Sequence, residues 1–144
     1  RIKTKMSYKI IGKYITSLNF SIPDPKTFFL LSKDIANYKI NIDIKSNQIK
    51  DKLIEVQTSI NLMPTKDNFG KINTTIIYST VIELDDKLVD KKEIEKIILV
   101  KVPTAIYPDL RKIFIFVFES SGFKEIKINE KVDFQKLYDL KKFQ

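Results

Sequence analysis

The sequence contains no cysteine, no histidine and no tryptophan, and only three glycines and five prolines. Without cysteine there is no disulfide framework, no thiolate nucleophile and no cysteine-based zinc site. The absence fits a reducing compartment, and a cytoplasmic location is expected. Losing histidine as well removes most metal sites, the Ser-His and Cys-His nucleophile systems, and the side chain that titrates near neutrality. Catalysis would have to rest on carboxylates, Lys, Tyr, Ser and Thr, so an enzyme is not expected. Neither Gly-x4-Gly-Lys-Ser/Thr nor Gly-x-Gly-x-x-Gly occurs, which leaves no nucleotide-binding motif and no expected cofactor. Long hydrophobic runs are missing too. The longest purely apolar one is Ile113 to Phe118, far short of a membrane span. The basic start, Arg1-Ile-Lys-Thr-Lys5-Met6, is followed by Lys9 and Lys13, so no signal-peptide core forms. No membrane association is expected.

What remains is a chain of 144 residues, 43% hydrophobic and 31% charged, the size and composition of one globular domain. A single domain over residues 1–144 is expected, with 1–7 disordered. The 26 basic and 18 acidic residues give a net charge of +8. Such a surface attracts nucleic acid, anionic lipid or acidic proteins. The lysines are dispersed, however, and no basic stripe interleaves with aromatics. A nucleic-acid-binding module is therefore kept only as a secondary alternative, and nucleic acid is not expected as a partner. The adjacent carboxylates Asp85 and Asp86 would point apart on a strand and read as a solvated turn.

The first half of the chain alternates. Tyr38, Ile40, Ile42 and Ile44 fall on one side, with Lys39, Asn41, Asp43 and Lys45 on the other. This is the period of a strand with one wet face. Ile54, Val56, Thr58, Ile60 and Leu62 repeat it, as does the run from Ile72 to Leu84. Tyr8, Ile10, Tyr14, Leu18 and Phe20 suggest a further strand with a bulge near Gly12. Ser46-Asn47 and Pro64 to Gly70 look like the turns between these strands. The connection from Ile22 to Asn37 is different: Pro23 and Pro25 block regular pairing, and Phe28-Phe29-Leu30-Leu31 crowds four large apolar residues into a connector.

The second half turns helical. Asp90 to Val100 reads as a short helix or a strand. Pro103 to Ser121, stopped by Gly122, favours a helix of about four turns. That helix is apolar nearly all round and needs cover on two sides. A last amphipathic helix runs from Val132 or Asp133 to Phe143. The whole is an α+β fold, a four-stranded antiparallel sheet covered by two C-terminal helices.

The order of these features resembles the SecB family over about Tyr8 to Lys142. The first strand carries Tyr14-Ile-Thr-Ser17-Leu18-Asn-Phe20-Ser21-Ile-Pro23, similar to the family's Tyr-x-x-Asp-(Leu/Ile)-x-Phe-Glu-x-Pro. The long helix begins Val102-Pro103-Thr-Ala-Ile106-Tyr107-Pro108-Asp109-Leu-Arg111, similar to Cys-Pro-x-x-(Leu/Ile)-Phe-Pro-Tyr-x-Arg. Gly122-Phe123, a short alternating strand at Ile126-Lys-Ile128, and Asp133-Phe134-Gln-Lys-Leu137-Tyr138 follow in the family's order.

The resemblance implies an ATP-independent holdase that binds unfolded or precursor polypeptides in apolar grooves for protein export, assembled as a homotetramer, a dimer of dimers. An alternative within the family is a chaperone of an antitoxin in a toxin–antitoxin system. By the resemblance the connector lines part of the groove, which makes Ile22, Phe28, Phe29, Leu30, Leu31 and Ile35 candidate client contacts; the same residues serve equally as a cap on the core. Ile113, Phe114, Phe116, Val117 and Phe118 are the expected oligomer contacts. The family docks the zinc-bearing tail of the SecA motor on acidic sheet residues. The matching positions here are Ser17, Ser21, Asn73 and Thr75, none of them acidic, so SecA is a doubtful partner.

Overall fold

The structure is a computed structural model that describes residues 7–33, 38–65, 72–123 and 126–142. Its elements are β1 (Tyr8–Ser21), α1 (Pro25–Lys33), β2 (Tyr38–Lys50), β3 (Leu53–Pro64), β4 (Asn73–Leu84), α2 (Lys91–Lys96), a π-helical turn (Ile97–Lys101), α3 (Val102–Ser120) and α4 (Phe134–Lys142). The strands form one antiparallel sheet in the order β1-β4-β3-β2. Both β1 and β2 are therefore edges, and the connector holding α1 leads from one edge to the other.

Side-chain period decides which face is dry. Ile54, Val56, Ile60 and Leu62 of β3 lie beside Ile76, Ile82 and Leu84 of β4, all buried beneath the helices. Ile40, Ile42 and Ile44 of β2 extend that inner face half-buried. Glu55, Gln57, Ser59 and Asn61 point to the outer face.

The link expected at Pro64 to Gly70 does fall between β3 and β4, with residues 66–71 outside the described ones, but the turn between β2 and β3 lies elsewhere than composition suggests. Ser46 and Asn47 are not a turn: they stay within β2, paired with Val56 and Glu55. The chain reverses at Asp51-Lys52, where Lys52 takes a positive φ of 65°. A non-glycine residue is held there against its preference by tertiary bonds. The Lys52 carbonyl accepts from the Leu84 N–H at 2.8 Å, and its Nζ donates to the Leu88 carbonyl at 3.0 Å.

Strand β1 carries two irregularities, between Ile10 and Gly12 and between Ile15 and Ser17. Each extra residue shifts the face that later side chains occupy. Ile10, Lys13, Ile15, Leu18 and Phe20 consequently share the inner face through their β4 partners Ile82, Thr80, Tyr78, Ile76 and Thr74. Tyr14, grouped by simple alternation with the inner residues, goes to the outer face opposite Ser79.

The connector folds into a helix that the sequence reading did not anticipate. Asp24 caps it, accepting the Thr27 N–H at 2.7 Å, and that bond holds the Asp24 carboxyl below the usual carboxylate range. Pro25 sits in the first turn, where its missing N–H is not needed. Leu31 points into the core and is 0% exposed.

Asp90 to Val100, left open between helix and strand, is helical. Asp90 caps α2 by accepting the Lys92 N–H at 3.0 Å. The π turn then joins α2 to α3. Pro103 cannot donate to the Leu99 carbonyl and its ring crowds it; the wider turn relieves that conflict, with the Val102 N–H reaching back to Ile97. Helix α3 buries one stripe: Val102, Ile106, Tyr107, Leu110, Phe114 and Phe118. Phe114 stacks on Phe118 at 4.5 Å, and Phe20 meets Phe118 edge-on at 5.0 Å. Gly122, at φ 96°, ends the helix.

The strand expected at Ile126–Ile128 is absent. That segment is irregular and is tied to α3 instead: Tyr107 Oη donates to the Asn129 carbonyl at 2.7 Å, and Arg111 Nε to the Ile128 carbonyl at 3.3 Å. Residues 1–6, expected to be disordered, lie outside the described residues; Ser7 is described, and its carbonyl accepts from the Asp85 N–H at 2.8 Å.

The connector helix offers a stability test. Leu31→Ala is expected to cost about 2–5 kcal/mol in urea unfolding, as for a fully buried leucine. Phe29→Ser, on the same helix but outward, is expected to stay within about 0.5 kcal/mol. Equal small effects would show that α1 is not docked on the core.

Candidate functional site

Helix α4 is short and starts on a cap, Asp133 Oδ1 accepting the Lys136 N–H at 2.9 Å. Phe134 anchors it, buried, with its ring 6.1 Å from that of Tyr107. One turn on, Tyr138 Oη donates to Glu95 Oε1 at 2.7 Å and ties α4 to α2. That bond favours the protonated phenol, and Tyr138 ionises above the ordinary tyrosine range. Phe134 and Tyr138 set the inner side of the helix, and Leu137 and Leu140, three residues apart, flank it and stay 47% and 57% exposed. They overhang a cavity of about 310 Å³ against Ile42 and Ile44 of edge strand β2, with Leu99 of the π turn behind. The cavity is open and mainly apolar, with Asp43 the charged residue in its lining, and is flanked by an edge strand whose outer side has no strand partner in the sheet.

The connector residues divide. Leu31 belongs to the core and cannot meet a client, a correction to its place among the candidate contacts. Phe28 is half-buried, its ring 4.9 Å from Phe123 and 5.5 Å from Phe29. Ile22 and Leu30 are half-buried, and Phe29 is 65% exposed beside a second recess that Leu30, Lys26 and Lys33 help to line. Ile35 lies outside the described residues.

The expected oligomer contacts divide in the same way. Phe114 and Phe118 are fully buried within one chain, under the sheet-facing stripe of α3, and are corrected to core residues. Phe116 is 68% exposed, while Ile113 and Val117 are half-buried. On β1, Ile10, Ile15 and Leu18 are exposed on the inner face, beyond the cover that α3 gives. The pairing registers bring Ser17, Ser21, Asn73 and Thr75 together on the outer face of β1 and β4. The carboxylates on that face are engaged: Glu55 accepts from Tyr14 Oη at 2.6 Å, and Glu83 lies 3.2 Å from Lys9 Nζ.

Leu99, Leu137 and Leu140 were not among the sequence candidates, and Ile42 and Ile44 were read as part of the apolar side of a strand. The available signal was Leu137 and Leu140 at a spacing of three on a helix already anchored by Phe134 and Tyr138.

Among the described residues no group of carboxylates could hold a metal ion, and no helix is long and apolar enough to cross a membrane. Apolar surface left open beside a sheet edge is the kind of surface that can seat another polypeptide. The comparisons make this specific. The family model described as preprotein translocase subunit SecB matches residues 2–144. A Pelagibacter ubique protein described as a protein-export protein SecB is 41% identical over 92% of this chain and 94% of its own length. The protein-export protein SecB of Anaplasma phagocytophilum is 24% identical, covering 91% of this chain and 90% of its own. A solved SecB-like chaperone of Mycobacterium tuberculosis, in complex with a peptide from an antitoxin, shares the fold with a TM-score of 0.60 at 11% identity, over 85% of this chain and 90% of that one. The chain belongs to the SecB family of protein-export chaperones, which are not enzymes.

The Tyr138–Glu95 tie is open to titration. In Glu95→Gln the phenol of Tyr138 is expected to ionise at lower pH, closer to an ordinary tyrosine, while Tyr107, raised by burial, keeps its value. Because the folded state favours the protonated phenol, the tie's contribution is present at neutral pH and is lost as pH rises above about 10, the unfolded tyrosine value. Ring-carbon NMR of labelled tyrosines reads both. An unmoved Tyr138 would contradict the assignment.

Proposed function

We propose that this chain holds unfolded precursor polypeptides without ATP, seating them in the groove between β2 and α4 and on the outward side of α1, for delivery to export. Family membership implies precursor binding. The observation that carries the location is the open apolar cavity under Leu137 and Leu140 at the free edge of β2. Burial is non-directional, so mobile apolar side chains accept many sequences. Folded proteins offer few exposed large apolar residues, and selectivity for unfolded chains follows without sequence readout. The groove is an extension of the reading from connector residues alone: Phe29, Leu30, Phe28 and Ile22 remain candidate contacts, joined by Leu137, Leu140 and Leu99.

We read the exposed β1–α3 face, with Ile113, Phe116 and Val117, as the surface through which copies assemble into a homotetramer. The cytoplasm, where the family typically works, is the proposed compartment. For the motor, Ser17, Ser21, Asn73 and Thr75 supply no carboxylate, and the nearest ones already have partners. Docking of a basic zinc-bearing SecA tail there is read as weak, which leaves the delivery route to another contact. The antitoxin role draws support only from the fold of the mycobacterial structure and is secondary to export.

The test is aggregation of a reduced, refolding polypeptide with the chaperone near stoichiometry and no nucleotide. Suppression is expected from the wild type. Each large apolar side chain buried contributes about 1.5–3 kcal/mol before ordering costs, so Leu137→Asp with Leu140→Asp is expected to weaken binding at least about tenfold. Both residues are exposed, and the melting temperature should hold. No suppression by excess wild type would sink the holdase reading; full suppression by the double variant would move the site away from the groove.

A further inference from the structure

The apolar face of β1 and α3 contains one ion pair. Lys13 Nζ lies 3.0 Å from Asp109 Oδ2, and both side chains are a little under half exposed. Exposed Ile10, Ile15 and Leu18 stand on the same face of β1, and exposed Phe116 lies two turns along α3 from Asp109. The bulge at Gly12 is what turns Lys13 inward, opposite Thr80. Asp109 stands where the helix-start pattern carries a tyrosine. A bulge on a strand and an aspartate on a helix thus meet at one contact.

An inward lysine and a pair of bulges are also devices that blunt a sheet edge against pairing. A blunting lysine works by carrying an unmatched charge. Here the charge is matched, and the hydrogen bond to Asp109 holds Lys13 protonated more firmly than a free lysine. A matched pair can be covered. It also suits one occupant in particular. A two-fold contact sets the same patch against itself, so the patch must be self-complementary. A positive and a negative group side by side meet that condition, because the copy presents them in reversed order. An unfolded client has no fixed position for either charge.

We propose that the Lys13–Asp109 pair fixes the alignment of two copies of this chain across the β1–α3 face, a proposal that rests on the self-association reading above. A one-residue slip moves apolar side chains onto both charges and strips their water without replacing it, which penalises every register but one.

Sedimentation of the full-length chain over a concentration series tests this. Within one chain the pair is partly solvated, so its loss leaves the fold intact, checked by circular dichroism. Lys13→Met and Asp109→Asn, each leaving a lone charge in the covered face, are expected to weaken self-association at least about tenfold. The exchanged pair, Lys13→Asp with Asp109→Lys, is expected to recover wild-type association to within about threefold. Unchanged association of the single variants overturns the proposal. So does tighter association of Lys13→Met, the mark of a blunting lysine, or failure of the exchanged pair to recover. A wild type that stays monomeric at every concentration overturns the self-association reading beneath it.

Discussion

A helix that is apolar nearly all round can press only one stripe against a sheet, and α3 is such a helix. Its stripe through Ile106, Leu110, Phe114 and Phe118 closes the inner face of the sheet. The other parts hang on it. Phe28 of the connector lies against Phe123 just past its end, Tyr107 and Arg111 hold the returning chain by its carbonyls, and Phe134 packs on Tyr107 to place α4. What α3 cannot cover is left open, and those remainders are the surfaces proposed for client holding and assembly.

They lie at opposite edges. The sheet order β1-β4-β3-β2 puts the β1–α3 face at one edge and the β2–α4 groove at the other. A copy bound along β1 would leave the groove by β2 free. On the proposed reading, this topology keeps assembly along β1 from competing with a client in the β2–α4 groove. The ion pair in one surface and the mainly apolar lining of the other, where Asp43 is the charged member, fit the proposed division: the assembly contact would need a single register, while the client groove would accept many sequences.

Much of this was legible in the sequence, because side-chain period reports burial directly. The cores of β2, β3 and β4 and the extent of α3 follow from alternation and from Gly122. Period fails where geometry is set by tertiary contact. The turn at Asp51-Lys52 depends on hydrogen bonds from distant residues, while Ser46-Asn47 had the better composition and stayed in a strand. The first bulge sent Lys13 inward and Tyr14 outward, and a second one, unmarked by composition, returned Leu18 and Phe20 to the inner face. Helix α1 carried a readable signal, Asp24 followed by Pro25, that the neighbouring Pro23 obscured. The site was less legible than the fold. A run such as Phe28 to Leu31 shows that apolar residues are present, but only the helix axis decides that Leu31 is core and Phe29 is surface. The groove joins residues from β2, the π turn and α4, far apart in the chain.

Hydrogen exchange of the full chain, with and without a reduced unfolded polypeptide, bears most directly on the claim that clients are held at the β2 edge. Slowed exchange over residues 40–44 of β2, together with α4, is the expected result, with the amides of β1 and β4 unchanged. Protection confined to β1 and β4, with residues 40–44 and α4 unaffected, would contradict it.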